Sequence, residues 1–74
     1  MVKLTAAQER VMSWLGKGWT GRPAYGSVIE VNGARICNVD TMMALSRRGL
    51  VIKDGDGQWA ATDAGKKLTA DAGL

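Results

Sequence analysis

A chain of 74 residues has room for one domain, expected to span residues 1–74, and buries only about 60% of the surface it exposes when unfolded. Hydrophobic residues at 46% and charged residues at 23% exclude a low-hydrophobicity disordered chain, and the single cysteine excludes an internal disulfide. Ten Lys and Arg against seven Asp and Glu, net +3, exclude a strongly acidic protein and are compatible with a polyanionic partner.

The first helix is expected to open at Thr5. Thr5-Ala-Ala-Gln8 has capping-box spacing, in which the Thr hydroxyl accepts from the amide three residues on and the Gln side chain reaches back. Leu4, Ala7, Val11, Trp14 and Leu15 recur at helical spacing and predict one apolar stripe, with Gly16 and Gly18 ending the helix. Residues 18–26, GWTGRPAYG, read as a loop in which Pro23 sets one turn.

Val28, Ile29 and Val31, then Asn32-Gly33, then residues 34–37 predict a hairpin, because Asn and Gly both tolerate the positive φ of a type I′ turn. A short helix over residues 28–32 is the alternative. A second helix follows from Asn38 or Asp40 to Arg48, with Gly49 suited to the position just past its end. Val39, Met42, Leu45 and Leu50 are expected to face inward, leaving Thr41, Ala44, Arg47 and Arg48 on or near the other face.

Residues 50–53 and 58–61 read as two strands joined by Asp54-Gly-Asp-Gly57. Thr62 then caps a last helix, whose first turn carries Asp63 where a negative charge suits the helix dipole. Residues 70–74 are expected to fray. The expected class is α+β, in the order helix, hairpin, helix, hairpin, helix.

The stretch ALSRRGLVIKDGDGQWAATDAGKKL, residues 44–68, resembles the second half of a winged helix-turn-helix domain of MarR-like and PadR-like bacterial regulators. In those proteins a recognition helix ends in a basic pair and Gly-Leu-Val. A two-stranded wing and a Thr-x-x-Gly-x-x-Leu helix start follow, here Thr62 to Leu68. Residues 5–18 resemble the first helix of such a domain. The middle departs, since residues 27–37 read as a hairpin where a typical member has a helix. With the LTAAQ opening, that departure also makes the chain similar to the small YjhX-like family, whose members are classed as toxins.

The first resemblance implies a small bacterial or phage transcriptional regulator that binds double-stranded DNA. Its recognition helix, about residues 39–48, would enter the major groove with a wing, residues 50–61, beside it. The residue chemistry agrees. Arg47 and Arg48 can reach phosphates or pair with guanine O6 and N7, and Thr41 and Ala44 can contact a thymine methyl. Arg35 and Lys53 would add backbone contacts. Residues 1–53 carry eight basic and three acidic groups, so the +5 body lies where those contacts are expected. The plain alternative is a solvated helix end whose arginines complement the helix dipole.

Other chemistries have less to stand on. From Asp54, the calcium-loop pattern would need an oxygen ligand at Gln58, Gly at Trp59 and Glu at Gly65, so no metal is expected. No His accompanies Cys37, and no phosphate loop or Ser-centred motif is present, so neither catalysis nor a cofactor is expected. No apolar run nears the ~18 residues of a membrane span, and with one Cys the expected setting is the reducing cytoplasm. Trp14, Trp19 and Trp59 are expected in the core. The rival function is a protein-binding module or toxin-like inhibitor on the same scaffold, using Trp19 and Tyr25 of the 18–26 loop. Either function allows a homodimer or a protein partner docking through the outer helices or that loop.

Overall fold

The computed structural model describes residues 3–74. Its elements run α1 (Ala6–Leu15), β1 (Arg22–Pro23), β2 (Val28–Val31), β3 (Ala34–Asn38), α2 (Val39–Arg47), β4 (Val51–Lys53), β5 (Trp59–Ala61) and α3 (Asp63–Ala72). This is an α+β domain with a winged-helix-like order of elements. Strands β1-β2-β3 form one antiparallel sheet and β4-β5 form a second. Gly21 joins the two sheets: its N–H donates to the Trp59 carbonyl at 2.8 Å, and the Trp59 N–H donates to the Gly21 carbonyl at 2.7 Å.

Local chemistry sets the ends of the elements. At α1 the Gln8 N–H donates to Thr5 Oγ1 at 3.2 Å and the Thr5 N–H donates to Gln8 Oε1 at 3.0 Å, completing the capping box. Asn32 and Gly33 have φ of 53° and 78°, as a type I′ turn requires, and Val31 pairs with Ala34 across it. Residues 28–32 are therefore strand and turn rather than a short helix. Gly49, at φ 74°, turns the chain from α2 into β4.

The last helix runs through residue 70, into the stretch expected to fray. It continues to Ala72, where Gly73 takes the left-handed conformation and the Leu74 N–H donates to the Thr69 carbonyl at 3.1 Å. Leu74 packs against the core, the apolar contact that accompanies such a helix end.

The core takes Val11, Met12 and Leu15 from α1, Ile29 and Val31 from β2, Ile36 from β3 and Met42 and Leu45 from α2, closed by Leu50, Val51 and Trp59. The α1 stripe differs from expectation. Ala7 is exposed and Trp14 half-buried, whereas Gln8 and Met12 are buried. The helix is rotated toward α3, where Met12 meets Gly65 and the Thr69 hydroxyl donates to the Gly65 carbonyl at 2.9 Å. Val39 is likewise half-buried rather than fully inside.

The segment read as a loop over residues 18–26 contributes a strand. Arg22 and Pro23 pair with Glu30 and Ile29. Pro has no N–H to give to a ladder, so its place in this outermost strand is the one a sheet tolerates. Trp19 lies outside the core, 43% exposed, with its ring edge-on to Trp14 at 5.7 Å between centroids. Trp59, by contrast, is 4% exposed.

Candidate nucleic-acid interface

Helix α2 buries Met42 and Leu45, half-buries Val39, Thr41 and Ala44, and exposes Asp40, Met43, Ser46 and Arg47. At about 100° per residue, positions seven apart fall nearly in line. Thr41 and Arg48 therefore share one line, and Asp40 and Arg47 share another about 100° away. Arg47 and Arg48, adjacent in sequence, belong to different faces.

The Thr41–Arg48 line is turned toward α1. Arg48 Nη1 donates to the Lys3 carbonyl at 3.1 Å, and Thr41 lines a groove with Ala7 and Arg10 of α1. Ala44 lies on the same flank and is half-buried. The Asp40–Arg47 line faces solvent, with Met43 beside it, 44% exposed. An acidic residue thus stands near the start of the outward face and a basic one at its end. At α2's first turn the Asn38 side chain makes no capping hydrogen bond, and the Val39 N–H donates to the Ser27 carbonyl at 2.7 Å.

The groove holds about 520 Å³ and lies between α1, β3 and α2, lined by Arg10, Arg35, Ile36, Cys37, Asn38 and Thr41. Its β3 wall is shaped by a bulge. Ile29 pairs with Cys37 but Glu30 pairs with Arg35, leaving Ile36 as the extra residue. A bulge breaks the strict alternation of side chains and re-aims those on either side of it. Here Arg35 and Cys37 line the same groove as Ile36, whose side chain is buried. Burial pushes the Cys37 thiol up to about 11, against the opposing pull of the Arg10 charge. The thiol is therefore neutral at physiological pH and puts no negative charge on the groove wall.

Lys53 ends β4 on the wing hairpin. Its Nζ lies 5.9 Å from the centroid of the Trp59 ring, within the range in which a cation is drawn to an aromatic face. At the hairpin tip, Asp54 Oδ1 accepts from the Asp56 N–H at 2.9 Å and the Gln58 N–H at 3.0 Å. That carboxylate serves the turn.

The six expected contact residues are thus divided among three places. Arg35, Thr41, Ala44 and Arg48 lie along the α1-facing flank, Arg47 on the outward face and Lys53 on the wing. Arg10 was missed. Its position on α1 just outside the apolar stripe marks an exposed flank, but its neighbours come from β3 and α2, which the local sequence does not bring near it. Compared with protein-family models, curated proteins and solved structures, the chain matches none.

Proposed function

We propose that the protein binds double-stranded DNA as a small transcriptional regulator of bacterial or phage type, acting in the cytoplasm. One relationship carries this reading: a surface helix ending in two exposed arginines turns at Gly49 directly into a two-stranded hairpin that bears Lys53. A helix of that kind can lie in the major groove while the hairpin touches the neighbouring backbone. Arg47 is the candidate for the groove, since it stands on the outward face. Arg48, Arg35 and Lys53 are candidates for phosphates at either side. A single module covers a modest interface, roughly 600 to 1,000 Å². Useful specificity then calls for a homodimer or a second protein.

Fluorescence anisotropy with labelled duplex DNA at several salt concentrations tests the reading. If about four phosphates are neutralised, log affinity against log salt has a slope of roughly −3.6. Arg47→Ala is expected to weaken binding, uniformly if Arg47 meets a phosphate and at one base pair if it reads a guanine. Weak affinity without salt dependence, equal for parent and variant, would replace this reading with the next.

A second reading is favoured by Tyr25, 69% exposed, and by half-exposed Trp19 on the same 18–26 segment. Aromatic side chains of this kind anchor protein interfaces. The protein would then be a binding module or a toxin-like inhibitor that uses this segment.

A further inference from the structure

We infer that the groove between α1, β3 and α2 seats one phosphate group, gripped by the guanidiniums of Arg10 and Arg35, with Thr41 and Asn38 as neutral donors. The inference rests on the DNA reading for its occupant, a backbone phosphate of the duplex. The grip itself depends only on the groove.

The two arginines come from different elements and line one concavity. Two guanidiniums lining one concavity make its potential positive, and the planar fork of Arg suits the paired oxygens of a phosphate. The lining supports the same choice. Thr41 offers a hydroxyl, Asn38 offers a carboxamide that makes no capping bond to its own helix, and Cys37 contributes a neutral thiol. Two carboxylates stand nearby. Glu30 is the cross-strand partner of both Arg35 and Arg22, and Asp40 lies on the other face of α2. Glu30 thus stands opposite an arginine on each neighbouring strand, and among the described residues no carboxylate lines the groove wall.

The position suits a duplex. Thr41 belongs to both the groove and the flank of α2 that ends in Arg48, so a phosphate seated there would lie alongside the helix proposed for the major groove.

The test pairs two titrations on the full chain. Amide shifts are followed by NMR with inorganic phosphate, against chloride at matched ionic strength. Duplex binding is followed by anisotropy across salt concentrations. The variants are Arg10→Ala with Arg35→Ala, Arg10→Lys with Arg35→Lys, and Arg47→Ala. Arg10 and Arg35 are exposed, so unchanged melting temperatures confirm that the fold persists.

The expected result is saturable phosphate shifts at Asn38 and Thr41 that vanish in the double Ala variant and survive Arg47→Ala. The salt slope for DNA should flatten by about 1 in the double Ala variant, because one phosphate is no longer neutralised. The double Lys variant should keep the slope and lose affinity. DNA binding whose slope the double Ala variant leaves unchanged would overturn the seat while the DNA reading stands. Phosphate shifts that respond to the variants, with no DNA binding, would keep the seat, assign it to a free phosphate-bearing ligand and end the DNA reading. Absence of both responses would overturn both.

Discussion

The α-carbon of Gly65 is packed so closely under the carbonyl oxygen of Leu50 that a methyl group built on it would overlap that oxygen. A backbone oxygen cannot swing aside as a side chain can. Alanine normally favours a helix over glycine by up to ~1 kcal/mol. Here the overlap would force α3 away from the Leu50 backbone just before β4, and overpacking of this kind costs about 1 to 3 kcal/mol. Gly65→Ala should therefore lower the melting temperature, by roughly 4 to 8 °C for each net kcal/mol in a domain of this size. A melting temperature at or above that of the parent would refute the close-packing account.

Thr62 connects the end of α2, the wing and α3. Its hydroxyl donates to the Gly49 carbonyl at 2.6 Å and accepts from the Gly65 N–H at 3.1 Å, and its own N–H donates to the Leu50 carbonyl at 3.0 Å. Thr62→Ala removes the cap and should cost about 1 to 2 kcal/mol, read by urea denaturation. Thr62→Ser keeps the hydroxyl and should recover most of the loss. Equal losses in both variants would assign the effect to the methyl group instead.

Cys37 gives a pH dependence with a definite sign. Burial raises its folded-state pKa from 9.0 to about 11, so as pH rises the unfolded chain loses the proton first. The contribution to stability is complete below pH 9.0 and falls as pH climbs toward about 11. Between pH 8 and pH 10.5 the parent should therefore lose more melting temperature than Cys37→Ala, which lacks the group. Parallel losses in the two proteins would show that the thiol ionises as readily folded as unfolded.

At the wing tip Asp54 has two roles that substitution can separate. Asp54→Asn keeps an oxygen acceptor for the Asp56 and Gln58 amides, whereas Asp54→Ala leaves both without it. If the wing lies along DNA, Asp54→Asn should tighten binding about two- to fivefold at low salt and less at high salt, as for other exposed charges. Unchanged anisotropy curves for the Asn variant would put the tip away from the backbone. Asp54→Ala should loosen the turn, seen as faster amide exchange at Asp56 and Gln58.

Sequence alone determined the features that depend on neighbours within a few residues. The capping box of Thr5 and Gln8, the Asn32-Gly33 turn, the Gly49 exit from α2 and the Thr62 cap each involve groups at most one turn apart, so their chemistry is legible in the chain. The alternation around Ile29 and Val31 and the spacing of Met42 and Leu45 placed core positions for the same reason. Together these set the α+β class and the order of its principal elements.

Tertiary structure decided what depends on distant partners. Arg22 and Pro23 carry no strand pattern of their own. They are a strand because Gly21 docks on Trp59 and Ile29 receives them from the other side. Met12 rather than Ala7 is buried because α3 lies on that side of α1, brought there by Gly65 and Thr69. The bulge at Ile36 fits five residues of β3 to four of β2, a mismatch that exists only once the strands pair. Packing of α1 against β3 sets Arg35 in one groove with Arg10, and packing of α2 beside the α1 end turns Arg48 toward the Lys3 carbonyl while Arg47 stays outward. Charges that sequence could only count acquire a direction when the chain folds, because a side chain's neighbours are fixed by packing between elements.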